Sequence, residues 1–401
     1  MAQRVLLHVG APKTGTSFVQ DLLFRHRDEL AGLGILYPAD RFDAHFLAAL
    51  DLMQLTWGGL EHQATGRWQR LADEVRAWDG TAIISHEILG KASRRQAEQA
   101  ISSLGDGEVH VVLSARDLVR QIPAEWQENV KHRRTKSYAD FLADLRDPSR
   151  PDPVSQWFWG VQEVPDVLGR WAASLPADRV HVVTVPPSGS DPGELWRRFA
   201  RVFALDARAI APSAERANTS LGVAEAALVR RLNVAVNPVL GNERYREFVR
   251  ELLVHRTLAP ERRSAKLSLP PDAWEWAAGI SRDWAEQLAG RGYDVVGDLA
   301  DLVPSGPPLP WVDPDHPDEG EVAEAGVRAL SAAVQETARL REVEIELHGV
   351  IGDLEAELAK LRRSPVQRLK RRLVRTAQGS AAGRLALRGY RRLRGSSSRP
   401  A

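Results

Sequence analysis

Arg4-Val5-Leu6-Leu7-His8-Val9-Gly10-Ala11-Pro12-Lys13-Thr14-Gly15-Thr16-Ser17 decides the reading of this chain. The apolar run 5–9 predicts a buried strand. It stops at Gly10, turns through Pro12 and Gly15, and enters an amphipathic helix at Thr16. A strand, a tight turn and a helix start aim several backbone N–H groups and the positive end of a helix dipole at one point. That is a phosphate cradle. Lys13 adds a cation at its rim, and Thr14, Thr16 and Ser17 add hydroxyl donors.

Outward from this turn, further strand-like runs fall at 81–85, 109–114 and 179–185, with helix-period stretches at 18–30, 67–78 and 165–174 between them. Alternating strands and helices predict an α/β fold with a mostly parallel sheet flanked by helices. After residue 185 the pattern turns helical, at 194–203, 223–232, 243–253 and 272–288, so residues 1–303 read as one domain. Residues 304–318 hold six prolines and predict an extended linker. Over 319–363, Leu340, Leu347, Leu354 and Leu361 recur every seven residues, with Val343 and Val350 on the companion position and Glu357 interrupting it. This predicts a coiled-coil helix that pairs chains, with a lone amphipathic helix as the alternative.

The 401 residues carry 54 Lys plus Arg and 53 Asp plus Glu, a formal charge of +1 that hides an asymmetry. Residues 360–401 hold 14 basic and no acidic residues, which leaves 40 against 53, or −13, for the rest. The basic tail 364–401 reads either as an amphipathic segment for an anionic membrane surface or as a disordered solubilising tail. With 43% apolar residues a sizeable core is affordable in area, and the absence of cysteine excludes disulfides, thiolate metal sites and a cysteine nucleophile. No apolar run reaches about 18 residues and no signal-peptide pattern opens the chain. A cytoplasmic protein is expected, with peripheral contact at the inner membrane face if the tail binds lipid. No nucleic-acid partner is expected.

In open α/β sheets ligands sit beyond the carboxyl ends of the strands. After the first strand comes the cradle. After 81–85 come His86 and Glu87, and after 109–114 come Arg116 and Asp117. A phosphate cradle, a candidate base and a cationic anchor thus stand at three strand ends. His86-Glu87 lacks the H-E-x-x-H spacing, and no metal is expected.

Pro12-Lys13-Thr14-Gly15-Thr16-Ser17 resembles the 5′-phosphosulfate loop, P-K-[ST]-G-T-[TS], of sulfotransferases that use 3′-phosphoadenosine 5′-phosphosulfate (PAPS). A nucleotide-triphosphatase loop reads G-x-x-x-x-G-K-[ST], with its lysine after the second glycine, whereas Lys13 precedes Gly15. The resemblance implies a P-loop-like fold and PAPS as co-substrate, with Lys13 at the transferring end. It places Arg116 on the 3′-phosphate. It also implies a serine eight residues after that arginine, where this chain has Ala124; Arg120, Gln127 and Lys131 are candidates for the missing contact. Glu87 is similar in position to the catalytic glutamate of heparan-sulfate-type members, and His86 to the histidine of cytosolic phenol and steroid types; both stay open as base. Asn218 and Ser220, in Arg216-Ala217-Asn218-Thr219-Ser220, are similar to a late R-x-N-x-S element near the nucleotide and could equally cap a helix. His45 and Trp57 fall where such folds form acceptor pockets, and Gln156-Trp157-Phe158-Trp159 reads as acceptor stacking or as plain core.

The resemblance predicts transfer of a sulfuryl group from PAPS to a hydroxyl, and the tryptophans and basic tail lean toward a glycan or glycolipid acceptor. A P-loop kinase or nucleotidase is the competing enzyme, weakened by the displaced lysine and by no strand ending in a Walker-type aspartate. A coiled-coil adaptor with a non-catalytic domain is the competing non-enzyme, supported by Ala124.

Overall fold

The computed structural model describes residues 2–210, 220–304 and 310–363, together with 369, 372–376 and 379. Asn218, residues 305–309 of the linker and most of the basic tail lie outside the described residues. The chain divides into two compact units, 1–329 and 330–401.

Six parallel strands form one sheet: β1 (Arg4–His8), β2 (Ile35–Leu36), β3 (Thr81–Ser85), β4 (Glu108–Ala115), β5 (Val180–Thr184) and β6 (Asp294–Val296). Their spatial order is β2-β3-β1-β4-β5-β6. Along each strand alternate residues point to opposite faces. Val5, Leu7, Ile84, Val111, Leu113 and Val182 join one core. Leu6, Ile83, Val112 and Val183 join the other. Both faces are therefore covered, as an all-parallel sheet requires. The first core is closed by the helices Ala44–Met53, Arg67–Ala77, Leu118–Lys131 and Pro271–Ala289, and the second by Thr16–Arg25 and Glu194–Val202. Each fully buried Leu or Val contributes about 1.5–3 kcal/mol.

The four expected strands are present within a residue or two of their predicted ends. β2 and β6 are additions; two and three residues are too short to show a period of two. The helix expected over 18–30 is two, Thr16–Arg25 and Arg27–Gly32, because the chain leaves helical geometry at His26. The stretch expected over 243–253 is a short turn, Asn242–Arg244, running into a π-helix, Tyr245–Leu258.

Residues 310–318 are docked on the domain. Both Asp315 oxygens accept N–H groups at the start of the Tyr138–Arg146 helix, from Tyr138 (3.0 Å) and Ala139 (2.9 Å), and Arg230 pairs with the same carboxylate at 3.2 Å. The long helix Glu319–Arg363 begins on the domain, with Val322 and Ala325 buried and Arg328 paired with buried Glu225 at 2.8 Å. In the second unit Leu340, Val343, Leu347, Val350 and Leu354 are exposed along that helix.

β1 lies at the centre of the sheet. The chain leaves it toward β2 and β3, and leaves β4 toward β5 and β6. The connections diverge between β1 and β4, which opens a crevice at the carboxyl ends of those two strands.

Candidate functional site

The crevice is filled by the turn 10–15. Gly10 (φ 135°) and Gly15 (φ 89°) take left-handed geometry. At Gly15 a Cβ would strain the backbone and come within 2.4 Å of Leu195 Cδ2, so a side chain there would also have to displace the Leu195 methyl. Lys13 is also left-handed, at φ 64°, a conformation that costs a non-glycine residue about 1–2 kcal/mol and recurs at functional sites.

What holds the turn is a set of side chains gripping its carbonyl oxygens from behind. Ser114 Oγ donates to Gly10 O (2.8 Å), and Thr14 Oγ1 to Ala11 O (2.6 Å). Gln121 and Gln162 (3.1 Å) both donate to Pro12 O. Arg116 Nη1 donates to Lys13 O at 3.1 Å. With the carbonyls turned back, the N–H groups of Lys13, Thr14, Gly15 and Thr16 have no acceptor among the described residues. Thr14 and Thr16 are buried and Ser17 is exposed.

A buried relay ties the three strand ends together. His8 bonds Ser85 Oγ (2.8 Å) and Ser114 Oγ (3.3 Å), and Thr14 Oγ1 shares its single proton between Ala11 O and Ser114 Oγ (2.5 Å). Burial pushes the His8 pKa down to about 4, so the ring is neutral at pH 7 and serves as one donor and one acceptor.

Glu87 follows β3, half-buried, with its Oε2 held by Gln20 Nε2 at 2.7 Å. Burial raises its carboxyl, but His86, Gln20 and Lys13 outweigh this and leave it below the ordinary glutamate value, ionised at neutral pH. Burial lowers the His86 imidazole, against the pull of Glu87. His86 Nδ1 accepts the Ile88 N–H at 3.3 Å, so the proton of the neutral ring is assigned to Nε2. The open nitrogen of His86 is then a donor. Both candidates for base thus stand at the end of β3, Glu87 as a carboxylate and His86 with its Nδ1 lone pair turned to the Ile88 N–H.

Lys13 Nζ pairs with Glu128 at 2.8 Å, and His132 (3.0 Å) and Lys131 (3.9 Å) share that carboxylate. Gln121, Ala124, Glu125 and Glu128 recur at helical spacing on Leu118–Lys131, and Gln121 and Glu128 face the turn. Glu125 is buried and its carboxyl is raised by burial, against the pull of Lys13. Ala124 is half-buried beside them and brings no hydroxyl.

Arg116 is half-buried. Its Nε is buried without a partner among the described residues, and burial lowers its pKa to about 10, helped by Arg120. Lys266 lies close enough that burial and then Arg116, Arg262 and Arg120 depress its ammonium. Arg262 Nη1 donates to Ser220 Oγ at 3.0 Å. Arg116, Arg120, Arg262, Lys266 and the Ser220 hydroxyl thus gather here, with Asp117 as an opposing charge. The three residues expected to replace the serine are engaged elsewhere. Arg120 holds Asp117 and Pro186 O, Gln127 holds both backbone groups of Leu221, and Lys131 sits by Glu128.

His45 is placed in the core rather than in a pocket. Its Nε2 donates to Pro38 O (3.1 Å), its Nδ1 accepts from Ser85 N (3.2 Å), and burial lowers it to about 4. Trp57 is 39% exposed and adjoins Trp157. Gln20, Gln121, Gln162, Glu128, Arg262 and Lys266 were not singled out by the sequence. Only the basic run Arg262-Arg263-Ser264-Ala265-Lys266 carried a usable signal.

Comparison of the chain with family models, curated proteins and solved structures gives no match.

Proposed function

We propose that this protein is a PAPS-dependent sulfotransferase of P-loop-like fold that moves a sulfuryl group to an acceptor hydroxyl. The observation that carries the reading is a pair of anion-ready positions at neighbouring strand ends. One is the turn with its unsatisfied N–H groups and Lys13. The other is the cluster Arg116, Arg262, Lys266 and Ser220 with its orphaned Arg116 Nε. A donor with phosphates at both the 5′ and 3′ positions needs two such places, and the half-buried Arg116, whose Nε has no partner among the described residues, gains from an anion that joins it beside the exposed Arg262 and Lys266.

In the reaction the acceptor oxygen bonds to sulfur as the bond from sulfur to the 5′-phosphate oxygen breaks. The leaving phosphate takes the electron pair, and Glu87 takes the hydroxyl proton. Lys13 and the turn N–H groups offset the charge that grows on the phosphate. Lys13 Nζ is paired with Glu128 at 2.8 Å, so its action on the phosphate exchanges one anionic partner for another.

Calorimetric titration with 3′-phosphoadenosine 5′-phosphate, adenosine 5′-phosphosulfate and ATP tests this. The first should bind most tightly. Arg116→Ala should weaken it about 10- to 100-fold, the worth of a lost charged hydrogen bond, and leave adenosine 5′-phosphosulfate nearly unchanged. Lys13→Ala should slow turnover of PAPS about 10²–10³-fold by analogy with loss of an oxyanion donor, with a smaller loss of affinity. Preference for ATP, or equal loss of both adenosine nucleotides in Arg116→Ala, would overturn the reading.

A further inference from the structure

Four rings run in series from Glu87 to the surface. The Phe46 ring lies 5.2 Å from His86 and meets Trp57 edge-on at 5.7 Å. Trp57 in turn lies 5.4 Å from Trp157. His86 and Phe46 are half-buried and Trp57 is the most open member. Phe46 comes from the Ala44–Met53 helix, Trp57 from the segment after it, and Trp157 from the Pro153–Gln162 helix. Three separate stretches of chain therefore converge on one aromatic row whose inner end, His86, has its Nδ1 4.0 Å from Glu87 Oε2.

The angles in the row select its ligand. Successive planes are inclined by 39°, 83° and 56°, so no two of these neighbouring faces form a parallel slot for a flat aromatic ring. Trp57, 39% exposed, can instead offer its π-system to the weakly positive C–H groups of a saturated ring and leave that ring's edge in water. The rim is polar: Glu61 Oε2 accepts the backbone N–H of Trp57 at 3.1 Å, and Lys91 Nζ donates to the backbone Gln156 O, beside Trp157, at 2.8 Å. Donors and acceptors around an apolar face suit a ligand that carries hydroxyls on its edge.

We propose that Phe46, Trp57 and Trp157 form the acceptor subsite and that its substrate is a neutral pyranoside, stacked through its C–H face with one hydroxyl directed toward Glu87. The fate of that hydroxyl rests on the sulfuryl-transfer reading; the binding does not.

Saturation-transfer NMR on the full chain without nucleotide, using methyl glucoside, galactoside and mannoside, maltose and cellobiose, with 4-nitrophenol as the aryl comparison, tests the proposal. At least one pyranoside should receive saturation at its ring C–H protons. Trp57→Ala should weaken it about tenfold, the scale of one stacking contact, and Trp57→Phe should keep most of the affinity. Trp57 is partly exposed, and an unchanged melting temperature verifies that the variants fold. Binding of 4-nitrophenol with no pyranoside bound, or pyranoside binding indifferent to both Trp57→Ala and Trp157→Ala, overturns the proposal. Trp57-dependent pyranoside binding in a protein that ignores 3′-phosphoadenosine 5′-phosphate supports the subsite and removes the sulfuryl reading.

Discussion

The two ends of the sheet both bury histidines, in different company. At the carboxyl end His8 is surrounded by hydroxyls: Ser85 and Ser114 on its ring nitrogens, and Thr14 beyond Ser114. At the amino end His110 Nδ1 and His181 Nε2 share a hydrogen bond of 2.8 Å, and His181 Nδ1 donates to Asp294 Oδ2 at 2.8 Å. His110 Nε2 is then left 3.3 Å from Glu108 Oε1, with Arg179 on the same carboxylate at 3.2 Å. One end is neutral and fixes a loop. The other is built of charges and joins β4, β5 and β6. Neutral hydroxyl bonds hold geometry without adding a field, which suits a place where Lys13, Arg116, Glu87 and Glu128 already set the charge around an incoming anion.

The largest effect should follow from breaking the neutral end. Ser114 Oγ serves Gly10 O, Thr14 Oγ1 and His8 at once. Ser114→Ala leaves buried polar atoms unpaired and should cost about 1–3 kcal/mol by chemical denaturation. Turnover should fall further than that loss of stability implies, because the turn loses its alignment. A variant that is destabilised but catalytically normal would make the relay a packing feature only.

Much of this end was legible in the sequence. The apolar runs of β1, β3 and β4 and the Pro12–Ser17 pattern locate a loop, and the residues after each strand locate Glu87 and Arg116. What holds them was hidden. Gln20, Gln121 and Gln162 are single amides on helices, indistinguishable in one sequence from solvent-facing residues until packing brings three elements together. Glu128 looks like surface charge until Lys13, 115 positions away, meets it. His45 misled for the converse reason: its place between helix and strand suggested a pocket, and only the bonds to Pro38 and Ser85 show it to be core. The amino-end chain was equally silent, since Asp294 opens a strand too short to be recognised.

A smaller effect separates the two ends by pH and salt. His8 and His110 are both lowered to about 4 from 6.5, and burial is the largest cause in each. As pH falls, the unfolded chain takes each proton first. Stability is therefore full above about pH 6.5 and declines toward pH 4 at about 1.4 kcal/mol per pH unit for each such histidine, flattening below. His110→Gln should remove one such share of the slope. For His110, Arg4, His181 and Arg179 add to the lowering and Glu108 opposes it, whereas Glu87 raises His8 and His86 lowers it slightly. Added salt should therefore shift the His110 ring titration in NMR more than that of His8. Equal shifts would remove the distinction between the two environments.

The smallest effect belongs to Asp294. Its carboxylate is 38% exposed on the side-chain scale and has Arg201 at 3.8 Å as well as His181 at 2.8 Å. Asp294→Asn keeps an oxygen that can accept from His181 Nδ1, so the hydrogen-bond chain through to His110 survives. Only Coulomb attraction is lost, and at a partly open site that is about 0.2–1 kcal/mol and fades as salt rises. Denaturation of Asp294→Asn beside Ser114→Ala, at low and high salt, puts the comparison to a direct test. The hydroxyl variant should lose more, and its loss should be indifferent to salt. An Asp294→Asn loss as large as that of Ser114→Ala, unchanged at high salt, would mean that the charged end is as closely built as the neutral one.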